Sequence, residues 1–278
     1  MGLPEPLMPE AGVPPAAIED NSTQFSWSVP TEIVELPSQG KFYPEGHPLH
    51  NVSNVEIKYM TAKEEDILTS PSLLREGLAV DRALQNVILN TSVRVEELLI
   101  GDKNALVVAT RITGYGEEYQ TSVTCPSCME QDTHTFDLSE LEHLDFETAM
   151  SDHNVTVSAE NTFTVKLPLS KATVECRLLT GKDEIRMLKK SKKNAKKKTS
   201  TALTDQFSSF ITTVNGETDP FRVGVFIQQM PARDSRYLRK VFAEISPNID
   251  MRQHFECSSC AYTADMEVPL TSDFLWPK

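Results

Sequence analysis

Two pairs of cysteines carry the clearest chemistry in this sequence. The first pair lies in residues 125–128 (Cys-Pro-Ser-Cys) and the second in residues 257–260 (Cys-Ser-Ser-Cys). Two thiolates with this spacing can bind one metal ion when the two residues between them form a tight turn. Both Pro-Ser and Ser-Ser favour such a turn. Four thiolates complete the tetrahedral coordination of a structural zinc ion and leave no open position for catalysis. The sequence therefore predicts a structural Zn²⁺ site formed by Cys125, Cys128, Cys257 and Cys260.

Both pairs are flanked by residues that alternate like β-strands. Tyr119, Thr121 and Val123 alternate on the way into the first pair, and residues 253–256 and 266–268 flank the second. Each pair is therefore predicted to lie at the tip of a β-hairpin, in the shape of a zinc knuckle. A single ion shared by both knuckles would tie the middle of the chain to its end.

Other roles for the cysteines are a disulfide within each pair, a redox-active pair and ordinary thiols. Disulfides need an oxidising compartment, and nothing near the N-terminus resembles a signal peptide. A thioredoxin-like pair opens a helix after a buried strand, which neither pair does. His134 and His254 lie near the pairs, either as spare ligands or as hydrogen-bonding strand residues, and we favour the second role. Cys176 alternates within a strand pattern and is predicted to be a small buried hydrophobic residue.

Composition and missing motifs exclude several classes of protein. The chain has 278 residues, enough to bury a substantial core, and no apolar run approaches the ~20 residues that span a bilayer. Its formal charge of −13 disfavours a general nucleic-acid binder. It contains no Gly-rich phosphate loop, nucleophile elbow or H-E-x-x-H motif. We therefore expect no enzymatic activity and assign no catalytic or cofactor-binding residue.

Residues 1–29 form a proline-rich segment with few large apolar residues apart from Phe25 and Trp27. This composition is typical of a flexible or extended arm. The alternatives are a free tail and an arm that docks on a neighbouring subunit through Phe25 and Trp27.

Local signals place two helices. Thr61 and Glu64 form a capping box after a predicted strand at Val55–Met60, which predicts a helix over Ala62–Leu68 that ends before Pro71. Gly101 and Asp102 predict a break and an N-cap for a second helix, from Lys103 to about Thr113.

An internal repeat is the main signal of organisation. Residues 174–184 restate residues 55–65, with Val, Glu, Thr, Lys and Glu at a constant offset of 119, and residues 234–238 resemble residues 102–106. The cysteine pairs are offset by 132, so the second copy carries an insertion of 13 residues, which we assign to the lysine run Lys189–Lys198. The alternative is a chance match. The repeat predicts an internally duplicated α+β protein with units at residues 30–150 and 151–278, each ending in a knuckle. Residues 155–157 and 163–167 are predicted to form an added hairpin between the copies.

The lysine run contains seven lysines on a predicted helix extension or exposed loop. It has no interleaved aromatic residue and no arginine, which base stacking or bidentate readout would need. We favour an acidic protein partner or a solvated face. The alternative is a zinc-ribbon protein that binds nucleic acid through Lys189–Lys198.

Several segments together resemble a known family. They are residues 36–44 (Leu-Pro-Ser-Gln-Gly-Lys-Phe-Tyr-Pro), 58–66, 99–104 and 111–116, followed by the first cysteine pair. This combination resembles the baseplate hub proteins of T-even-like contractile-tailed bacteriophages, over about residues 30–140 and more loosely to the second pair. The resemblance implies a structural or assembly role in the tail baseplate, without enzymatic activity. It also implies assembly in the host cytoplasm, a place in the virion tail and a hetero-oligomeric assembly with other baseplate proteins. We expect no association with a membrane.

Overall fold

The structure is a computed structural model that describes residues 28–197, 201–270 and 274–275. Phe25 and Trp27 of the predicted arm lie outside the described residues, and so does Lys198 of the lysine run.

Short strands and helices alternate along the chain. The elements of the first half are β1 (Thr31–Glu35), β2 (Asn54–Lys58), α1 (Ala62–Leu68), α2 (Pro71–Glu76), α3 (Ala79–Val87), α4 (Ile100–Tyr115), β3 (Glu118–Thr124), β4 (Gln131–Asp137) and α5 (Phe146–Asp152). Those of the second half are β5 (Thr156–Val157), β6 (Thr162–Lys166), β7 (Thr173–Arg177), α6 (Gly181–Lys197), α7 (Ala202–Phe210), β8 (Ile211–Val214), α8 (Pro220–Gln229), α9 (Ala232–Ile245), β9 (Arg252–Glu256) and β10 (Thr263–Glu267). The mixed class of helices and small sheets agrees with the α+β prediction.

The sheets are small and antiparallel. Among the described residues, β1–β2, β3–β4 and β9–β10 form two-stranded sheets, while β5, β6, β7 and β8 form a four-stranded sheet in that order. Neither face of such sheets can form a core alone, so they pack with the helices. The buried apolar side chains form one cluster that includes Ile57 and Leu106 from the first half and Val174 and Leu238 from the second.

Within the described residues, we find no helix with the length and apolar character needed to cross a membrane.

Helix α1 has the predicted bounds and the predicted cap. The Thr61 amide and hydroxyl donate to the Glu64 carboxylate at 3.0 and 2.6 Å, and Lys58 lies 3.3 Å from the same side chain. A new helix, α2, begins at Pro71 because proline suits the first turn of a helix. The capping-box prediction is confirmed.

The same polar arrangement occurs at the start of α6. The Thr180 amide and hydroxyl donate to the Asp183 carboxylate at 3.0 and 3.1 Å, and Arg177 donates two bonds of 2.7 Å to it. Arg177, Thr180 and Asp183 stand 119 residues after Lys58, Thr61 and Glu64. The recurrence therefore includes side-chain interactions as well as residue types.

The break predicted at Gly101 and Asp102 is wrong. Helix α4 begins at Ile100, so both residues lie in its first turn. Gly101 is needed there because a Cβ at this position would lie 1.8 Å from the carbonyl oxygen of Pro247, in the other half of the chain. The helix also extends beyond Thr113 to Tyr115, and Gly116 follows it with a φ of +88°.

Asp102 anchors the loop that follows β1. The Ser38 amide and hydroxyl donate to its carboxylate at 2.9 and 2.6 Å, and the Tyr43 hydroxyl donates at 2.7 Å. The Asp102 side chain is completely buried, and burial raises the pKa of its carboxyl group although these hydrogen bonds oppose the shift. A carboxylate in the first turn also interacts favourably with the helix dipole.

Asp234 has the corresponding place in α9. It is buried in the first turn and accepts hydrogen bonds from the amides of Leu169 and Ser170 at 2.7 and 2.8 Å. Asp234 follows Asp102 by 132 residues, and Ser170 follows Ser38 by the same number. In both halves, a carboxylate at the start of a helix holds the loop after the first strand of a pair.

The predicted hairpin of residues 155–157 and 163–167 forms, with Thr156 opposite Thr164, but it is not a separate addition between the copies. Its second strand, β6, pairs along its whole length with β7, with Val165 opposite Val174. In the first half β1 pairs with β2 in the same way, with Val34 opposite Val55. Hence β6 is the pairing partner of β7 within a larger sheet, and only the two-residue strand β5 extends that sheet beyond it.

Backbone hydrogen bonds join the two halves at two places. Ile100 donates to Leu179 and Gly181 donates to Leu98, each at 3.0 Å. At the second place Leu144 donates to Asn248 at 2.9 Å. Together with the shared apolar cluster, these bonds hold the start of α4 and the start of α6 against the opposite half.

The buried carboxylate predicts a large loss of stability on truncation. We expect Asp102→Ala to lower the free energy of unfolding by about 3 kcal/mol or more, because buried donors of Ser38 and Tyr43 lose their acceptor. Urea unfolding followed by circular dichroism measures the loss. The control is Asp152→Ala, an exposed helical aspartate that should change the free energy by less than about 0.5 kcal/mol. A loss at Asp102 as small as the control would contradict the anchoring role.

Candidate metal centre

The hairpins β3–β4 and β9–β10 bring together all four cysteines predicted as ligands. The Sγ atoms of Cys125, Cys128, Cys257 and Cys260 all lie within 4.8 Å of one another. Cys125 and Cys260 are separated by 3.8 Å, and Cys128 and Cys257 by 3.7 Å. Cys125 and Cys257 are buried, Cys128 is half-buried and Cys260 is exposed. The cluster therefore draws two residues from each half and opens on one side to solvent.

The two cysteine turns have the same backbone geometry despite different sequences. In the first, the Cys125 amide donates to the Glu130 carbonyl and the Met129 amide donates to the Cys125 carbonyl, both at 2.9 Å. In the second, Cys257 donates to Tyr262 and Ala261 donates to Cys257, again at 2.9 Å.

Both turns also contain a residue with left-handed backbone geometry. Met129 has a φ of +62° and Ala261 has a φ of +54°, which is uncommon for residues other than glycine. Each follows the second cysteine of its pair directly. The turn shape is thus set by its hydrogen bonds and not by a permissive glycine.

The sulfur separations are compatible with a tetrahedral metal ion. A tetrahedron with Zn–S bonds of about 2.3 Å has S···S edges of about 3.8 Å. A disulfide requires an S–S distance of about 2.05 Å, and all five cysteines are free thiols. The arrangement therefore does not fit the alternative of a disulfide within each pair.

Electrostatics within the cluster favour a cation. Hydrogen bonds from the amides of Cys128 and Ser127 lower the pKa of the Cys125 thiol to about 7. At Cys128 the Glu130 amide also lowers the pKa, but burial and the neighbouring sulfurs outweigh it, and the pKa rises to about 12. Adjacent thiolates repel one another unless a positive charge compensates them. A divalent cation would supply that charge.

Contacts outside the sulfur cluster hold the two hairpins together. The Asp137 amide donates to the Gln253 side-chain oxygen at 3.1 Å, and the Gln253 side-chain amide donates back to the Asp137 carbonyl. The Ser258 hydroxyl donates to the Asp132 carboxylate, and this bond lowers the pKa of Asp132. The hairpins are thus joined by polar bonds at two places outside the sulfur cluster.

The nearby histidines do not enter the cluster. His134 packs its ring edge-on against Phe136, with ring centres 4.6 Å apart, and against Phe255, at 5.3 Å. His134 therefore belongs to the aromatic contact between the hairpins, and His254 lies on strand β9. Cys176 is not part of the cluster either. It is completely buried on β7, as predicted, and burial raises the pKa of its thiol to about 12.

Sequence reasoning missed Gln253, Asp132 and Ser258. Gln253 bonds to a residue 116 positions earlier, and Ser258 bonds to one 126 positions earlier. Polar residues on exposed strands and turns are common, so their types gave no signal that these would meet.

The Gln253 contact predicts a measurable coupling between the hairpins. We expect Gln253→Ala to lower the free energy of unfolding by about 1–2 kcal/mol, because it removes both hydrogen bonds between this side chain and the backbone of Asp137. Hydrogen exchange at β9 and β10 should accelerate. The matched control is Gln120→Ala, an exposed strand glutamine of the other hairpin, which should leave both values unchanged. Equal exchange rates in the two variants would show that Gln253 does not join the hairpins.

Comparison with known proteins adds one family. No curated protein and no solved structure gave a significant match to the chain. Residues 29–160, a little under half of the chain, match the model of a family described as T4 bacteriophage base plate protein. This segment runs from just before β1 through β5 and includes the first cysteine pair but not the second. The match supports a T4-like phage baseplate protein with a structural role in the virion tail.

Proposed function

We propose that the chain is a structural or assembly component of the hub region of a contractile phage tail baseplate. The family match over residues 29–160 carries this proposal. The chain acts by binding other baseplate proteins in a hetero-oligomeric assembly that forms in the host cytoplasm, and its place is the virion tail. It has no catalytic activity under this proposal. In support, the buried charged side chains of the described residues all take part in hydrogen bonds or ion pairs within the fold; they are Glu64, Asp102, Lys103, Arg111, Asp183 and Asp234.

We further propose that one Zn²⁺ bound by Cys125, Cys128, Cys257 and Cys260 clamps the two hairpins. The S···S separations of 3.7 and 3.8 Å support zinc, since they match the edges of a tetrahedral zinc–thiolate site. The free energy of zinc binding would add directly to the stability of the fold. The ion is structural because four sulfurs leave no position for a substrate.

The zinc clamp joins two copies of a duplicated unit in this proposal. Three recurrences support duplication: the capped helix starts at an offset of 119, the anchoring aspartates at an offset of 132, and the cysteine turns at the same 132. The paired strands β1–β2 and β6–β7 lead into the capped helices in the same order. A chance match of residue types would not explain the recurrence of hydrogen bonds.

The strand pairings revise where the extra residues of the second copy lie. Ile57 bridges Ile88 in the first copy, and Cys176 pairs with Ile211 in the second. The second interval is four residues longer and contains the lysine run, whereas the remaining nine extra residues fall between Ile211 and Asp234. Helix α8 lies in that second interval. On this alignment the lysine run supplies only part of the insertion of 13 residues.

The zinc clamp predicts one tightly bound ion per chain. We expect purified protein to contain one zinc, and Cys125→Ala and Cys257→Ala each to lose it and to destabilise both halves, because both residues bind the same ion. Elemental analysis gives the zinc content, and hydrogen exchange reports each half. Cys176→Ala is the control, since it removes a buried thiol outside the cluster and should keep the zinc. Retention of zinc in either ligand variant would exclude a shared site.

The baseplate role predicts a defect in tail assembly. Deletion of the encoding gene from the phage should stop baseplate formation, and a copy of the gene supplied in trans should restore it. Electron microscopy of the lysate shows whether tails form, and mass spectrometry of purified tails shows whether the chain stays in the particle. Normal infectious tails without the gene would contradict the role.

A further inference from the structure

A long groove runs between α3 and α6, at the boundary between the two halves. Two adjoining cavities of about 310 and 780 Å³ form it, and they share Leu78, Asp81, Ile185 and Lys189 as lining residues. Helix α6 contains residues 189–197 of the lysine run, and Lys189 and Lys192 line this groove. We call it the α3–α6 groove.

Exposed leucines line the smaller cavity of the groove. Leu74 is 53 % exposed, Leu188 is 40 % exposed and Leu270 is 49 % exposed. Single exposed leucines are common on protein surfaces, but several along one groove indicate a contact surface. Phe274 and Leu275 are buried and form part of the same wall.

Most of the acidic side chains in the groove are already neutralised. Lys103 lies 2.5 Å from Asp81 and 2.6 Å from Glu184. Burial lowers the pKa of Lys103, but these two carboxylates outweigh burial and raise it, so the lysine stays charged. Glu96 in the larger cavity pairs with Arg94 at 3.8 Å. Only Glu76 lines the groove as an acid without an ion pair to a described residue.

Several basic side chains in the groove have no acidic partner. Arg82 and Lys189 line the groove and form no ion pair with any residue that the structure describes. Lys192 donates to the backbone carbonyls of Arg75 and Glu76, so no carboxylate compensates its charge. By contrast, Lys190 points to Asp205 at 2.6 Å. In a chain with a formal charge of −13, this concentration of uncompensated cations indicates an anionic partner.

We infer that the α3–α6 groove binds an acidic amphipathic helix of another protein. Its apolar face would cover Leu74 and Leu188, and its carboxylates would pair with Arg82, Lys189 and Lys192. The walls are helices and loops, and no described strand lines the groove, so an added strand has no edge to pair with. A nucleic acid would gain nothing from the leucines, and the aromatic residue in the wall, Phe274, is buried.

This inference deepens the proposed baseplate function, and it rests on that function only for the origin of the partner. Because the groove binds by its own chemistry, the isolated chain can be tested without any baseplate protein. Failure of the binding experiment would leave the assembly role standing, and failure of the gene-deletion experiment would leave the groove standing.

The test uses two fluorescent synthetic peptides of about 20 residues, long enough to form a helix. Both contain the same numbers of leucine and glutamate, but only one places the leucines along a single helical face. We expect the amphipathic peptide to bind at least tenfold more tightly than the permuted peptide in fluorescence anisotropy. Its affinity should fall as salt rises, because part of the attraction is ionic.

Three variants locate the binding site. The double variant Arg82→Glu and Lys189→Glu should weaken binding at least tenfold, and so should Leu188→Asp. Lys193→Glu is the matched control, since it makes the same change of charge on the same helix but lines neither cavity. This variant should bind the amphipathic peptide within about twofold of the unchanged protein, because salt screens an exposed charge outside the groove. Urea unfolding confirms that each variant is folded.

Five results would overturn the inference. Absence of binding, or equal binding of the two peptides, would exclude an amphipathic helix as the ligand. Loss of affinity equal to that of the control would place the site elsewhere. Tighter binding of double-stranded DNA than of the peptide, lost in the same double variant, would make the groove a polyanion site. Binding that begins only after deletion of residues 276–278 would assign the groove to that segment of the same chain.

Discussion

The position of the cysteine cluster depends on two buried carboxylates. Helix α4 leads directly into the hairpin that contains Cys125, and α9 leads into the hairpin that contains Cys257. Each helix is held at its first turn by an aspartate, Asp102 or Asp234, that binds the loop after the first strand of its half. Because a helix is rigid, a shift at its anchored end would move the cysteines at the other end. The anchors therefore align two hairpins that are far apart in sequence.

The hairpins are held together by contacts that do not involve the cysteines. The Gln253 amide and the edge-on ring contacts of His134 hold the hairpins in place, and the backbone of each turn is fixed by its own hydrogen bonds. What these contacts do not relieve is the mutual repulsion of adjacent thiolates. A divalent cation would relieve it and close a loop of more than a hundred residues. In this proposal, zinc therefore supplies the charge compensation that the hydrogen bonds between the hairpins cannot provide.

The boundary between the halves combines a close backbone contact with a groove. Gly101 and Gly181 allow backbone to approach backbone closely, which seals the shared core. Elsewhere along this boundary, α3 and α6 line a groove with exposed leucines and with basic residues that form no ion pair to a described residue. The lysine run is thereby connected to an apolar surface, which a purely solvated charged helix would lack. The combination of exposed leucines and these basic residues supports our inference that the α3–α6 groove is a binding surface.

Interactions between near neighbours in the chain could be predicted from the sequence alone. The capping box of Thr61 and Glu64, the hairpins around both cysteine pairs and the burial of Cys176 follow from spacing and alternation, because the groups that interact lie within a few residues of one another. The cysteines also have so specific a spacing that their convergence could be predicted across 132 residues. The ion itself and the duplication remain proposals.

Only the tertiary structure decided the features that depend on distant partners. The sequence predicted a helix break at Gly101, yet this residue lies within α4 because the carbonyl group of Pro247 packs against it. The sequence predicted Asp102 as an N-cap, yet its buried carboxylate accepts hydrogen bonds from the hydroxyls of Ser38 and Tyr43. The sequence predicted β6 as half of an added hairpin, and the structure shows that β6 pairs with β7 as well as with β5. In each case a long-range contact outweighs a local preference of about 1 kcal/mol, and such a contact leaves no periodic pattern in the sequence.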